Sequence, residues 1–83
     1  MIDCEFMYTN AAGELITFGV HRLPSVPSKD DYIQAGKYAK EWSEDAKISW
    51  QAEIWRVEAV IWNIEIECCY VMVMPGAYKL GEI

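Results

Sequence analysis

The chain has 83 residues, of which 53% are apolar, and thirteen acidic against seven basic residues give it a formal net charge of −6. A chain of this length buries only roughly 60% of the surface that its unfolded form exposes, so we expect a single domain over residues 1–83 with no deep catalytic cleft. The negative charge repels nucleic-acid phosphates and anionic membrane surfaces, which disfavours both as direct partners and favours basic proteins, although the same charge also serves solubility alone.

The cysteines and the chain start predict a cytoplasmic protein. Cys4, Cys68 and Cys69 are odd in number and lack the paired spacing of a zinc or redox motif, which is typical of a reducing compartment. Residues 1–3 do not resemble the start of a secretory signal. The longest apolar stretch, 68–75, is far shorter than the roughly 20 residues of a membrane span, so we expect no membrane segment.

The first two segments alternate with the period of a half-buried strand. Residues 2–9 place Cys4 and Phe6 on one face, and residues 14–23 do the same with Ile16 and Phe18. Asn10, Ala11, Ala12 and Gly13 between them have the composition of a turn. The pattern therefore predicts a β-hairpin.

A helix is predicted from Ser28, after two prolines end the second strand. Ser28 is a suitable N-cap, Asp31 occupies the acidic position of a capping box, and Asp30 favours the positive end of the helix dipole. At about 100° per residue, one face collects small and aromatic residues that allow close packing on a sheet. These are Tyr32, Ala35, Gly36, Ala39, Trp42, Ser43 and Ala46.

Residues 47–64 fit two periods. As a helix they continue the apolar stripe of the preceding segment, but residues 54–66 are rich in β-branched and aromatic side chains, which favours a strand. The strand interpretation requires a bulge, because the alternation changes parity at Trp55.

Residues 64–67 alternate cleanly and 68–74 are apolar on both faces, which predicts a continuous central strand ended by Pro75 and Gly76. We therefore predict an α+β fold of order ββαββ, an antiparallel sheet of about four strands with one helix packed on a face. The alternative is ββαβ with one long helix over 28–62.

No residue pattern predicts catalysis. His21 is the only imidazole, and the expected hairpin register places Cys4 opposite residues near Gly19, with no third group to complete a nucleophilic site. The glycines are scattered rather than grouped before a helix, and the paired carboxylates have no cleft. We therefore predict no catalytic residues, no metal site and no cofactor.

Aromatic residues beyond the needs of a small core point to protein partners. The chain has four Trp and five Tyr, and aromatic side chains are common interface anchors. On a strand Trp50 and Trp55 would face opposite ways, so at least one would lie outside the helix-covered face. The predicted partner-contacting residues are tryptophans and carboxylates: Trp50, Glu53, Trp55, Glu58, Trp62, Glu65, Glu67, Asp30, Asp31, Glu41, Glu44 and Asp45.

Small size, acidity and spare aromatics together predict a non-catalytic inhibitor that occupies a basic, nucleic-acid-binding site on a nuclease or nucleoprotein complex. Small phage-encoded anti-defence and anti-CRISPR proteins are of this type. Glu65 and Glu67 at alternate positions of a strand would lie about 6.6–6.8 Å apart, comparable to phosphate spacing along a nucleic-acid backbone. The alternative is a structural or accessory homodimer that buries its aromatic strand face and has no inhibitory role.

Overall fold

The computed structural model describes residues 1–82, in which a five-stranded sheet carries one short helix on its concave face. The strands are β1 (Ile2–Thr9), β2 (Leu15–Leu23), β3 (Tyr32–Gln34), β4 (Ile54–Asn63) and β5 (Cys68–Ala77). A 3₁₀ turn (Gly36–Tyr38) leads into helix α1 (Ala39–Asp45), and a second 3₁₀ turn spans Leu80–Glu82. The predicted α+β class with a single helix is confirmed within the described residues.

The sheet is mixed rather than antiparallel, which corrects the predicted topology. Its strand order is β2-β1-β5-β4-β3. The β1–β2 and β4–β5 hairpins are antiparallel, but they meet through parallel pairing of β1 with β5, where Cys4 lies beside Cys69. β3 is a further strand, which pairs with β4.

The predicted first hairpin is present, with a different register. Cys4 lies opposite His21, not near Gly19, because a bulge between Glu5 and Met7 shifts the pairing. Gly19 adopts a positive φ of 92° in this region, a backbone conformation that glycine accepts without steric cost.

The helix begins at Ala39 rather than Ser28, and the alternative helix over 28–62 is wrong. The Ser28 amide donates to Asp31 Oδ2 at 2.8 Å, so the hydrogen bond of a capping box does form. This hydrogen bond closes a turn and does not begin a helix, because Asp30 has a φ of 72°, which does not occur in a right-handed helix. Gly36, at a φ of 59°, is a second break before α1.

The strand interpretation of residues 47–64 is correct for 54–63, and 48–53 form a loop. The required bulge occurs between Ile54 and Trp55, and a second one lies between Val57 and Ala59. Residues 64–67 form a turn, which corrects the prediction of a continuous strand over 64–74. β5 then runs past Pro75 to Ala77.

The core is an aromatic cluster between α1 and the sheet. Phe18 stacks on Trp42 with ring centroids 4.8 Å apart, and Trp55 packs edge-on against both. The predicted small face of the helix is confirmed at Ala39, which is fully buried. Ser43 Oγ donates to the Ala39 carbonyl and accepts from the Ala52 amide, which fixes the loop after the helix.

Candidate protein-binding site

The predicted partner-contacting residues are spread over several elements. Three of them, Trp62, Glu65 and Glu67, lie together at the end of the β4–β5 hairpin. The others lie in the turn before β3 (Asp30 and Asp31), on α1 (Glu41, Glu44 and Asp45), in the loop before β4 (Trp50 and Glu53) and within β4 (Trp55 and Glu58).

Trp55 is a core residue, so its assignment to a surface is wrong. Its side chain is 0% exposed, and its Nε1 donates to the Ala52 carbonyl at 2.8 Å. The adjacent bulge turns this side chain towards α1. Trp50 lies in a loop rather than on a strand and is half-buried against Tyr78, so the argument from opposite strand faces does not apply.

Two of the predicted acidic residues have structural partners. Asp30 Oδ1 lies 3.0 Å from Arg56 Nη1, and Asp31 accepts the hydrogen bond from the Ser28 amide. The carboxylates of α1 are exposed, but Lys40 lies on the same helix and Lys47 directly after it, so this face carries mixed charge. Neither region is a concentrated negative surface.

The end of the β4–β5 hairpin, residues 61–67, is here called the β4–β5 tip. Its apolar side chains face solvent: Ile64 is 90% exposed, Ile66 59% and Trp62 57%. Glu65 and Glu67 are exposed between and beside them. No lysine or arginine occurs in the chain between Arg56 and Lys79. The tip therefore combines an apolar surface with negative charge, and no basic residue lies within the hairpin segment 57–78.

Asn63 holds the β4–β5 tip in a defined shape. Its Oδ1 accepts from the backbone amides of Glu65 and Ile66 at 3.1 and 3.4 Å, and its Nδ2 donates to the Tyr70 hydroxyl at 3.1 Å. Glu67 closes the turn with a φ of 53°. A preorganised turn loses less conformational entropy on binding, which favours its use as a recognition element.

The cysteine and histidine that lie opposite each other do not form an activated pair. Burial raises the pKa of the Cys4 thiol, and the neighbouring Cys69 raises it further, which keeps the thiol protonated. The His21 ring packs against Phe6 and Tyr38. An activated cysteine nucleophile requires the opposite shift.

Comparison with protein-family models, with curated proteins and with solved structures gives no match. Within residues 1–82, no group of three or more His, Cys, Asp or Glu side chains is arranged to hold a metal ion. No helix in the same range is long and apolar enough to cross a membrane.

The exposure of Ile64 and Ile66 was not predicted, because their alternation with Glu65 and Glu67 is typical of a strand whereas residues 64–67 form a turn. One signal was present. Between Gln51 and Pro75, Asn63 is the only residue of a type that favours turns, because this stretch contains no Gly, Pro, Ser or Asp.

Proposed function

We propose that the protein is a non-catalytic inhibitor that occupies a basic, nucleic-acid-binding site on another protein or complex, and that it does so through the β4–β5 tip. The observation that carries this proposal is the exposure of Trp62, Ile64 and Ile66 beside Glu65 and Glu67. Exposed apolar patches rimmed by polar groups mark interaction sites.

The composition of the tip matches such a partner site in two respects. Proteins that bind single-stranded nucleic acids combine cationic grooves with apolar or aromatic surfaces on which bases stack. Carboxylates complement the cations and accelerate encounter, while a buried tryptophan or isoleucine contributes about 1.5–3 kcal/mol each. Glu65 and Glu67 complement the partner by the sign of their charge alone, because they lie in a turn and do not have the strand spacing predicted for them.

The proposed partner is a nuclease or a nucleoprotein complex of the kind that phage anti-defence and anti-CRISPR proteins inhibit. The proposed site of action is the cytoplasm, where thiols stay reduced. The three cysteines form no disulfide, which supports this placement.

Affinity capture with a nucleic-acid competitor tests the proposal. Immobilised protein is incubated with nuclease-treated bacterial lysate at low salt, and bound proteins are eluted either with rising salt or with an excess of short oligonucleotides. We expect a nucleic-acid-binding protein that both treatments release, because the inhibitor and the oligonucleotide occupy the same basic site. Recovery of no such protein, or retention under excess oligonucleotide, contradicts the proposal.

Charge reversal locates the contact. Glu65→Lys with Glu67→Lys should abolish capture, whereas Glu41→Lys with Glu44→Lys changes the net charge equally on α1 and should preserve most of it. Equal loss in both variants would mean that overall charge, and not the tip, drives capture.

A second candidate function, an accessory homodimer, is favoured by the convex face of the sheet. Met7, Tyr70, Met72 and Met74 are half-buried there, on the side of the sheet away from α1. Light scattering, which measures the oligomeric state, distinguishes the inhibitor from the accessory homodimer when it is applied to variants. A dimer that Met72→Lys dissociates, together with capture unaffected by changes at the tip, favours the accessory role.

A further inference from the structure

The two edges of the sheet approach each other around a cavity. β2 and β3 lie at opposite ends of the strand order, yet Leu23 of β2 and Ile33 of β3 line the same space of about 200 Å³. The sheet must therefore curl strongly, and the segment 35–42 spans the gap between its edges. This cavity lies outside the β4–β5 tip and shares no residue with it.

The cavity has an apolar floor of the size of one aromatic ring. Phe6 and Trp42 line it and are each only 3% exposed, and Ala35 adds a small side chain that leaves space open. A dry cavity of about 150 Å³ lined by aliphatic and aromatic side chains is large enough to bind benzene. One ring with a small substituent therefore fits.

Three polar side chains complete the lining: His21, Gln34 and Tyr38. None of them is engaged in the side-chain hydrogen bonds found among residues 1–82, which lie elsewhere in the fold. The Tyr38 ring lies 4.9 Å from the His21 ring, and Lys37 Nζ lies 5.3 Å from the Tyr38 ring centroid. These groups supply hydrogen-bond donors and a cation beside the cavity.

The charge of the lining is unusual for this chain. Acidic residues outnumber basic ones by thirteen to seven, yet no carboxylate lines the cavity. An anionic ligand group would meet the donors of His21, Gln34 and Tyr38 there without direct repulsion from a lining carboxylate, and Lys37 lies next to this lining, over the Tyr38 ring. The rest of the ligand would replace water against Phe6 and Trp42.

We propose that this cavity binds a small aromatic carboxylate, with its ring against Trp42 and Phe6 and its carboxylate towards His21, Tyr38 and Lys37. Ligand sites of this composition, apolar with a few convergent polar groups, are the usual form of small-molecule pockets. The inference is independent of the proposed inhibitor function.

Titration with benzoate and with benzyl alcohol, followed by ¹H–¹⁵N NMR, tests the inference. Benzyl alcohol has a similar ring and size but no charge. We expect saturable shifts at the amides of residues 21, 33–38 and 42, and benzoate should bind at least about fivefold more tightly than the alcohol. No saturable shift with either probe up to roughly 10 mM would overturn the inference.

Variants test the two parts of the site separately. Lys37→Glu, beside the Tyr38 ring, should weaken benzoate by about fivefold and leave benzyl alcohol unchanged. Lys40→Glu, the same change at a lysine that lines a separate hollow with Trp50, should have little effect on either. Ala35→Leu should fill the cavity and abolish binding. Leu23→Phe does the same from the more exposed wall and serves if Ala35→Leu fails to fold.

Three further outcomes contradict the proposal. Equal binding of the two probes shows that the site does not select a carboxylate. Shifts that map away from the cavity show that it is not the site. Binding that survives in a folded cavity-filling variant leads to the same conclusion.

Discussion

Both hairpins of this protein end in a turn that contains an asparagine side chain bonded to turn amides and a residue at positive φ. The two turns differ in the side chains that they expose. At the first end, Asn10 Oδ1 accepts from the amides of Ala12 and Glu14, both at 3.0 Å, and Gly13 supplies the positive φ. At the β4–β5 tip, Asn63 plays the same part. There, however, the positive φ falls on Glu67 and the exposed side chains include Ile64 and Ile66.

The comparison shows what a turn needs and what it does not. An asparagine and a residue at positive φ are sufficient to reverse the chain, and the first hairpin does so with small or polar residues. Two exposed isoleucines and a tryptophan add nothing to that task in water. The apolar side chains of the β4–β5 tip are therefore not needed for the turn, which is consistent with the proposed role in binding.

The largest expected effect is on stability, and it differs between Trp55 and Trp62 at the two ends of β4. Trp55→Ala removes a fully buried side chain and should lower the free energy of unfolding by about 3–5 kcal/mol, enough to unfold a marginal small domain. Trp62→Ala, at a residue that is 57% exposed, should cost less than about 1 kcal/mol. Urea denaturation followed by circular dichroism measures both. Similar losses would show that Trp62 also belongs to the core.

The next effect concerns binding. Trp62→Ala with Ile64→Ser should weaken the captured partner by at least about 2 kcal/mol, roughly thirtyfold, because anchors at interface centres dominate affinity. Leu15→Ala is the matched control, since Leu15 is 60% exposed but lies beside the first turn. Calorimetric titration of the captured partner measures both affinities. An equal loss of affinity in Leu15→Ala would contradict a specific role for the β4–β5 tip.

The two asparagines should matter to a similar extent for folding. Asn10→Ala and Asn63→Ala each delete two side-chain hydrogen bonds to turn amides and should each destabilise by about 1 kcal/mol. Thermal unfolding of the two variants checks this. If only one of the two variants is destabilised, the asparagine hydrogen bonds do not stabilise the two turns in the same way.

The smallest pair of effects has opposite signs. Gly13→Ala should destabilise by about 1 kcal/mol, because its φ of 80° is strained for alanine although no atom lies within 4 Å of the added methyl group. Glu67→Gly should stabilise by up to about 1 kcal/mol, because relief of the positive-φ strain, about 1–2 kcal/mol, exceeds the extra conformational entropy that glycine loses on folding, about 0.5–1 kcal/mol. Chemical denaturation resolves both changes. A destabilised Glu67→Gly variant would show that the glutamate side chain supports the turn.

Much of the fold could be predicted from local sequence patterns, and the predictions that were wrong have identifiable physical causes. The first hairpin, the strand at 54–63 and its bulge were predictable from alternation and residue type. The helix start was not, because Ser28 and Asp31 form the same hydrogen bond in a turn as in a capping box, and only the φ of Asp30 distinguishes the two. β3 is only three residues long and depends on pairing with β4, which no local pattern reveals.

The candidate site was predictable only in part. The charge and the exposed Trp62 were identified, but the isoleucines were hidden in an alternation that resembles a strand. Trp55 was assigned to the surface because the effect of the bulge on its direction depends on tertiary pairing. The parallel pairing of β1 with β5 is likewise non-local. The curl of the sheet that forms the cavity depends on this pairing, so it could not be predicted from local sequence either.

Hydrogen exchange of the backbone amides, with and without the captured partner, tests most directly whether the β4–β5 tip is the binding surface. We expect the partner to protect residues 61–67, while residues 10–14 at the end of the first hairpin exchange at the same rate as in the free protein. Unchanged exchange over 61–67, with protection appearing elsewhere, would contradict the account.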